Sequence, residues 1–394
     1  MQERRQQLTA QDETSRAIRL GVIGTGLAVE QLHWPALKQM PERFTVAAFA
    51  NHTRPKAEHF ASFTGASMDD YYADYHDLLK RDDVEAVLIS LPIPLNYAVT
   101  RDCLAAGKHV FCEKPTGSDE AEGRAFLALA DAYPDRVVLI GENSFYRDDL
   151  RLARSFLDAN AIGRVHLMVW RMINQLVPIE GRFSGTPWRH DPAYRGGAHL
   201  DGGVHHIAAI RLLCGDATHV HGEIQEANRT IDAPSDLTLN LRFVSGAVGN
   251  YTACYPEIAI PPEPNEMRLY GTEGILALGG SPARRTVTLY RPDGTAEEHQ
   301  FTGIDHGYYD EFSDFYDAVI HGVPFVSTIA QSVRNMLIVL RGLDSAEQGQ
   351  VMTLNDAPGG LAAAAVPLWH PRGASGLFDG LPGERTTATR RWNE

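Results

Sequence analysis

The sequence has few cysteines, a deficit of positive charge and no long apolar run. Only four of its 394 residues are cysteine, and no two of them form a C-x-x-C pair. Such scattered thiols exclude a disulfide framework and a thiolate metal site. We therefore expect reduced, mostly buried cysteines and predict no metal.

Basic residues number 36 against 50 acidic residues, so the formal net charge is −14. Binding to nucleic acid or to an anionic membrane surface favours a basic protein, so neither partner is expected. The segment 1–16 is polar and lacks the apolar core of a secretory signal. The run Ala86–Thr100 contains two prolines and is too short to span a bilayer. These absences predict a cytoplasmic protein.

The first part of the chain alternates short apolar segments with helix-like segments. Such alternation is typical of a parallel sheet built by right-handed crossovers, which predicts an α/β fold. The predicted strands are Ile18–Ile23, Phe44–Ala50, Val84–Leu91, His109–Cys112 and Val137–Ile140. The predicted helices span about 29–40, 54–63, 97–106 and 120–132.

After about Tyr146 the pattern changes to longer strands with alternating polarity, which predicts an α+β domain with a mostly antiparallel sheet. Its predicted strands are Val165–Asn174, Thr218–Glu226, Leu237–Phe243, Ala247–Tyr255 and Met267–Tyr270, and its predicted helices span about 203–214, 309–320 and 329–347. The chain thus divides into a polar arm (1–16), an α/β domain (17–145), an α+β domain (146–370) and a glycine-rich tail (371–394). We expect this tail to be loose or to reach a partner subunit.

A glycine turn follows the first predicted strand and opens a helix. It reads Gly24-Thr25-Gly26-Leu27. One glycine permits the tight turn, and the other lets the backbone approach a pyrophosphate at the helix N-terminus. A third glycine is usual three residues later, but Val29 stands there. The pattern favours dinucleotide binding; the alternative is a tight turn without a ligand.

The end of the second predicted strand indicates which dinucleotide is bound. A carboxylate there would bind the ribose hydroxyls of NAD and repel the 2′-phosphate of NADP. The sequence has Asn51-His52-Thr53-Arg54 and no acid. This pattern favours NADP, or use of both cofactors, over strict NAD, with Arg54 near the phosphate. In the alternative interpretation, Arg54 is a solvated residue of the first helical turn.

A more specific signature follows the fourth predicted strand, where the sequence reads Glu113-Lys114-Pro115. Together with Trp188-Arg189 and Asp201-Gly-Gly-Val-His205, it closely resembles the Gfo/Idh/MocA oxidoreductases. The resemblance implies a Rossmann domain at 17–145 and a substrate-binding and oligomerisation domain at 146–370. It also implies a homodimer or homotetramer assembled through the C-terminal sheet.

The resemblance further implies NAD(P)-dependent oxidation or reduction of a sugar, cyclitol or related polyol. By the same resemblance Lys114 stabilises the oxyanion and His205 is the acid/base. Asp201 lies one helical turn from His205, so it could orient that imidazole or hold Lys114. Asn96 stands where many members of the family have histidine, and Ala208 stands where many have aspartate. In the alternative interpretation, Lys114 is a surface lysine in a turn and His205 is a packed histidine on a capped helix.

The remaining predictions assign further residues to ligands. Predicted cofactor-binding residues are Gly24, Thr25, Gly26, Leu27, Asn51, Thr53, Arg54, Leu91, Pro92, Asn96, Glu113 and Lys114. Predicted substrate-binding residues are Tyr146, Trp188, Arg189 and His199. His206 lies on an apolar helical stripe and is interpreted as a packed residue.

Two other functions fit the same fold. One is a non-catalytic regulator that retains nucleotide binding. The other is a lyase or glycosidase that transiently oxidises a sugar with a retained cofactor. Net cofactor reduction would exclude the second, and turnover of any polyol would exclude the first.

Overall fold

A six-stranded parallel sheet forms the first half of the protein. The computed structural model describes residues 16–190, 192–261, 265–303, 306–355, 365–381 and 383–392. The strands are β1 (Ile18–Ile23), β2 (Phe44–Ala50), β3 (Tyr71–Tyr72), β4 (Ala86–Ile89), β5 (His109–Glu113) and β6 (Val138–Gly141). Their order is β3-β2-β1-β4-β5-β6, with every pair parallel. This arrangement confirms the predicted Rossmann domain.

Helices cross between these strands. They are α1 (Trp34–Leu37), which a π-helical turn (Val29–His33) precedes, α2 (Arg54–Thr64), α3 (Tyr75–Leu79), α4 (Asn96–Ala105) and α5 (Glu120–Ala132). Short 3-10 turns span Met68–Asp70, Ile93–Leu95, Asn143–Phe145 and Phe183–Gly185. The N-terminus of α5 is capped by Asp119, whose carboxylate accepts a hydrogen bond from the Glu122 backbone. The sequence pattern had indicated such a cap.

A ten-stranded sheet forms the second half. Its strands are β7 (Val165–Ile173), β8 (Ala217–Gln225), β9 (Asp236–Phe243), β10 (Val248–Cys254), β11 (Met267–Gly271), β12 (Ile275–Ser281), β13 (Arg284–Tyr290), β14 (Thr295–Thr302), β15 (Met352–Thr353) and β16 (Glu384–Arg391). The order is β15-β8-β9-β10-β7-β11-β12-β13-β14-β16. Neighbouring strands are antiparallel except β7 and β10, so the predicted mostly antiparallel sheet is confirmed.

The second half also contains six helices among the described residues. They are α6 (Asp148–Asp158), α7 (Pro187–His190), α8 (Gly197–Asp201), α9 (Gly203–Cys214), α10 (Tyr308–His321) and α11 (Ile329–Gln348). The sequence analysis missed α6, although its buried Leu150 and Ala153 follow helical spacing. None of the helices in the described chain has the length and apolar character that crossing a membrane requires.

Both termini were expected to lie outside the two domains. The arm 1–16 falls outside the described residues except for Arg16, which forms an ion pair with Glu85. The expectation of a loose tail is wrong for Glu384–Arg391, which pairs with β14 over its full length. The threonine-rich sequence of this segment suits a strand, and β14 offers it an unpaired edge.

Helices from the end of the chain cover the first sheet. Phe312 and Phe315 of α10 pack against Phe111 of β5, and the rings of Phe111 and Phe312 stack with centroids 4.5 Å apart. Val333 and Leu337 of α11 belong to the core on the other face. The two halves therefore share their hydrophobic cores.

A buried ionic cluster holds α9 and α11 to the second sheet. Asp216 accepts hydrogen bonds from Arg211 Nε at 3.0 Å and from Arg334 Nη2 at 2.6 Å. Arg211 also donates to the Gln331 backbone and to Asn335. Burial lowers the pKa of Arg211 to about 10, and the nearby Asp216 opposes that shift. Two buried guanidinium groups thus share one carboxylate.

We predict that Asp216→Asn will lower the free energy of unfolding by about 3–5 kcal/mol, because it leaves buried arginine charge without a counter-charge. Denaturant unfolding measures the loss. Glu58→Gln is the control, since it removes a half-exposed partner of Arg54 and should change stability by less than about 0.5 kcal/mol. Equal stability of the two variants would contradict a structural role for the cluster.

Candidate active site

A large cleft runs along the carboxyl ends of the first sheet and reaches the second half of the chain. Its volume is about 1170 Å³, somewhat above the usual range for small-molecule sites. The predicted residues that line it are Gly24, Thr25, Gly26, Leu27, Asn51, Leu91, Pro92, Glu113, Lys114, Trp188, Arg189, Asp201 and His205. The cleft therefore brings the predicted cofactor and catalytic residues together.

The glycine turn forms one end of this cleft. Gly24 has φ +87°, and a Cβ atom there would lie 2.1 Å from the Ser90 carbonyl oxygen, so no other residue fits without a shift. A Cβ atom on Gly26 would meet no atom within 4 Å. The first glycine is thus needed for the turn itself, whereas the second leaves open space at the cleft. This combination fits a pyrophosphate that approaches the backbone.

The end of β2 is tied to this turn. Asn51 donates a hydrogen bond from Nδ2 to Thr25 Oγ1 at 2.9 Å, and its Oδ1 accepts one from the Thr53 backbone. Thr53 and Arg54 do not line the cleft. Instead, Arg54 pairs with Glu58 at 2.9 Å and lies over the ring of Tyr71. The structure does not bring the predicted cofactor-binding residues Thr53 and Arg54 to the cleft, and their contact with cofactor stays a prediction.

Lys114 joins the two walls of the cleft. Its Nζ donates to the Asp201 carbonyl oxygen at 2.7 Å and to Asp201 Oδ1 at 2.9 Å. Both side chains are largely buried, at 12% and 14% exposure. Burial alone would raise the pKa of Asp201, but Lys114 and Arg189 hold it well below its usual range. Of the two predicted roles of Asp201, the structure shows the one that holds Lys114.

Arg189 completes this ionic group. Its Nε donates to Asp201 Oδ2 at 2.6 Å, and its Nη1 donates to Thr186 Oγ1 at 2.8 Å. The guanidinium lies 4.0 Å from the ring centroid of Trp188 and also lies over Phe183. This wall therefore presents aromatic faces beside a fixed cation, an arrangement that suits a hydroxylated ring.

His205 is oriented by Glu142 rather than by Asp201. The distance from His205 Nδ1 to Glu142 Oε1 is 2.6 Å, and Glu142 is 1% exposed. Burial opposes ionisation of Glu142, yet its pKa is lowered, because His205 and Ser144 both hydrogen bond to it. An ionised carboxylate accepts only, so Nδ1 carries the proton and Nε2 remains available to a substrate.

The Glu113-Lys114-Pro115 turn has its own supports. Glu113 Oε1 lies 2.7 Å from Nε2 of the buried His33, and Glu113 Oε2 accepts the Lys114 backbone N–H. The Lys114–Pro115 bond is cis. Asn96 donates from Nδ2 to the carbonyl oxygens of Glu113 and Pro115. Asn96 was predicted to bind cofactor; in the structure this buried amide holds the turn and does not line the cleft.

Two predicted substrate residues lie away from the cleft. Tyr146 is fully buried, and its hydroxyl donates to Asp314 at 2.7 Å. His199 is also fully buried, beside the ring of Tyr255, and burial lowers its pKa to about 4. The structure does not bring these two residues to the cleft, because packing between helices and the second sheet turns their side chains into the core.

The sequence analysis missed several residues of the site. Glu142 directly follows β6, the last strand of the parallel sheet, at the same edge as Lys114, and this position was a usable signal. Lys56 lies on α2 and lines the cleft together with His52, beyond the end of β2. Phe183 lines the opposite end and lies in an irregular segment, for which the sequence offered no signal.

Other histidines have structural places. His206 is packed as predicted, and its Nδ1 lies 2.7 Å from the Tyr251 hydroxyl. Within the described ranges, no group of three or more histidine, cysteine or acidic residues is arranged to hold a metal ion.

The fold and this cleft define an NAD(P)-dependent oxidoreductase. The family model for the Gfo/Idh/MocA oxidoreductases with an NAD-binding Rossmann fold matches residues 18–140, and the model of the Gfo/Idh/MocA C-terminal domain matches residues 150–277. The chain therefore belongs to the Gfo/Idh/MocA family, as its sequence motifs had indicated.

Two named relatives and one solved structure show what the chain is similar to. A dTDP-3,4-didehydro-2,6-dideoxy-α-D-glucose 3-reductase from Streptomyces violaceoruber is 31% identical over 72% of this chain and 81% of its own length. A D-xylose 1-dehydrogenase (NADP⁺) from Haloferax volcanii is 27% identical over 85% of this chain and 99% of its own. The crystal structure of an oxidoreductase from Thermotoga maritima has a TM-score of 0.76 at 29% identity, covering 86% of this chain and 98% of that chain.

We predict that Gly26→Ala will weaken NAD(P)H binding at least about tenfold, equivalent to about 1.4 kcal/mol, because the added methyl group occupies space beside the turn. Fluorescence titration measures the affinity. The free energy of unfolding should change by less than about 1 kcal/mol, since the methyl group meets no protein atom. Unchanged binding would show that the dinucleotide does not approach this turn.

Proposed function

We propose that this protein transfers a hydride between a nicotinamide cofactor and a secondary alcohol or ketone of a sugar, cyclitol or related polyol. The observation that carries the proposal is the meeting of Lys114, Asp201 and the His205–Glu142 pair at one end of the dinucleotide cleft. The named relatives that act on sugars support the substrate class.

The nicotinamide supplies the hydride acceptor or donor when it is bound. In the oxidative direction, His205 Nε2 takes the hydroxyl proton of the substrate while the carbonyl forms. Glu142 stabilises the resulting imidazolium through Nδ1. In the reductive direction, the same nitrogen returns the proton to the oxygen.

Lys114 acts on the substrate oxygen. An ammonium group has three N–H donors, and Asp201 accepts two hydrogen bonds from it. The third remains for the oxygen on which negative charge develops during hydride transfer. Arg189 and Trp188 bind the rest of the polyol from the opposite wall.

We predict that Lys114→Met will lower kcat about 10²–10³-fold, the usual loss when one oxyanion donor is removed, while NAD(P)H affinity changes far less. The assay is a panel of sugars and cyclitols with both cofactors, followed by absorbance of the reduced nicotinamide. Lys80→Met, at an exposed lysine far from the cleft lining, is the control.

Two outcomes would contradict the proposal. Unchanged turnover in Lys114→Met would remove the assigned role of the lysine. Product formed with neither net reduction nor net oxidation of the cofactor would favour the alternative lyase or glycosidase cycle.

The same proposal includes a preference for NADP. β2 ends without an acid, and Lys56 and His52 line the adenosine side of the cleft. Lys56 is exposed and forms no ion pair with any of the described residues. It is therefore a better partner for a 2′-phosphate than Arg54, which Glu58 already neutralises.

We predict that Lys56→Gln will raise KM for NADP about tenfold or more, the effect of losing a hydrogen bond to a charged group, and leave KM for NAD nearly unchanged. Arg54→Gln is the matched control and should affect neither. A larger effect of Arg54→Gln would show that Arg54 leaves Glu58 to bind the phosphate.

The proposal extends to the state of the protein in the cell. We infer a cytoplasmic location and a homodimer or homotetramer assembled through the C-terminal sheet. None of the four cysteines forms a disulfide within the described chain, and three of them are buried, which supports a reducing compartment.

A further inference from the structure

The last strand of the chain forms an open edge of the second sheet. β16 pairs with β14 through an eight-residue ladder without a register shift, and no strand of the described chain lies beyond it. All of its residues except Arg385 are exposed, so neither face of the strand is covered. Sheet edges usually carry a proline, a bulge, charged side chains or a covering segment that blocks further pairing. β16 has no proline and no bulge, and its charged residues include both signs.

The ladder shows which backbone groups point outwards. The Trp392 N–H donates to the Gly294 carbonyl oxygen at 3.1 Å, so residue 392 bonds inwards, towards β14. Alternate residues of an antiparallel strand point the same way. The even-numbered residues of β16 therefore bond to β14, and the N–H and C=O groups of Arg385, Thr387, Thr389 and Arg391 face the open edge.

We propose that β16 pairs antiparallel with β16 of a second copy of this chain, about a two-fold axis at Thr387. Such an axis places odd-numbered residues opposite odd-numbered residues and even-numbered residues opposite even-numbered ones, because both copies present the same backbone groups at the edge. With Thr387 opposite itself, Glu384 of each copy lies opposite Arg390 of the other. Oppositely charged residues in this position stabilise a strand pair.

The neighbouring register is disfavoured. An axis at Ala388 places Glu384 opposite Trp392 and Arg390 opposite Thr386, so both pairs of opposite charge are lost. Glu384 has no ion-pair partner among the residues that the structure describes, and Arg390 reaches Glu298 only at 3.5 Å, with 58% of its side chain exposed. Both charges are therefore available to a second copy.

The contact uses each edge once, so it closes as a pair of chains. It is separate from association through the sheet face, and it joins two ten-stranded sheets into one. Six backbone hydrogen bonds join the two copies in this register, as the antiparallel pattern requires. Two link the Thr387 residues of the two copies, and four link Arg385 of each copy to Thr389 of the other. A face-to-face dimer with this contact would become a tetramer.

Cysteine substitution tests the register directly. In the proposed pair, the two Thr387 Cα atoms are about 5.5 Å apart, within reach of a disulfide, for which the limit is about 7 Å. The two Ala388 Cα atoms are about 8 Å apart, from the strand rise and spacing. We expect mild oxidation to convert Thr387→Cys into a covalent dimer and to leave Ala388→Cys and the unsubstituted chain monomeric on a denaturing gel. Cross-linking of Ala388→Cys in preference, or of neither variant, would overturn the proposal.

Light scattering tests the contact without cross-linking. Thr387→Pro removes an outward N–H but keeps the ladder to β14, because proline is tolerated at a solvent-facing edge position. It should halve the mass of the assembly. Glu384→Arg should raise the dissociation constant of the contact about tenfold or more, since two attractive pairs become repulsive. Glu226→Arg, at an exposed acid outside the edge, is the control. An unchanged mass in both edge variants would overturn the proposal.

Discussion

Lys114 and Asp201 are 87 residues apart in the sequence and come from the two halves of the protein, yet they meet in a largely buried ion pair. Each charge would be costly to bury alone. Lys114 extends from the end of β5, whereas Asp201 ends α8, so their attraction fixes one wall of the cleft against the other. Arg189 binds the second carboxylate oxygen and extends this constraint to the aromatic residues around it. The substrate end of the cleft therefore depends on this one carboxylate.

The same carboxylate sets the charge balance of the site. Lys114 and Arg189 share the single charge of Asp201, which leaves a net positive charge at this wall of the cleft. His205 has its own acid, Glu142, and is separate from this group. In the proposed mechanism the first group stabilises negative charge on the substrate oxygen and the second exchanges the proton. Had Asp201 oriented His205 as well, it would have been less available to neutralise the two cations.

The sequence predicted the site residues whose position follows from the order of the strands. It was less informative about residues whose side-chain direction is set by packing. Lys114 was predictable because the carboxyl ends of parallel strands form the binding edge. Glu142 lies at the same edge but was not predicted, because helical spacing pointed to Asp201 as the partner of His205. Tyr146 and His199 were expected at the substrate and lie in the core, since the direction of each side chain is set by contacts with residues far along the chain.

Long-range packing also determines how the halves depend on each other. Periodicity divides the chain near Tyr146, but α10 and α11 cover both faces of the first sheet with Phe312 and Val333. The Rossmann half without these helices would expose apolar surface around Phe111, so the halves must fold together. The groups assigned to chemistry are thus held by strand ends and shared cores. The wall beside Asp201 and Arg189 is formed by short helices and turns around Phe183, where sequence can change without disturbing either sheet.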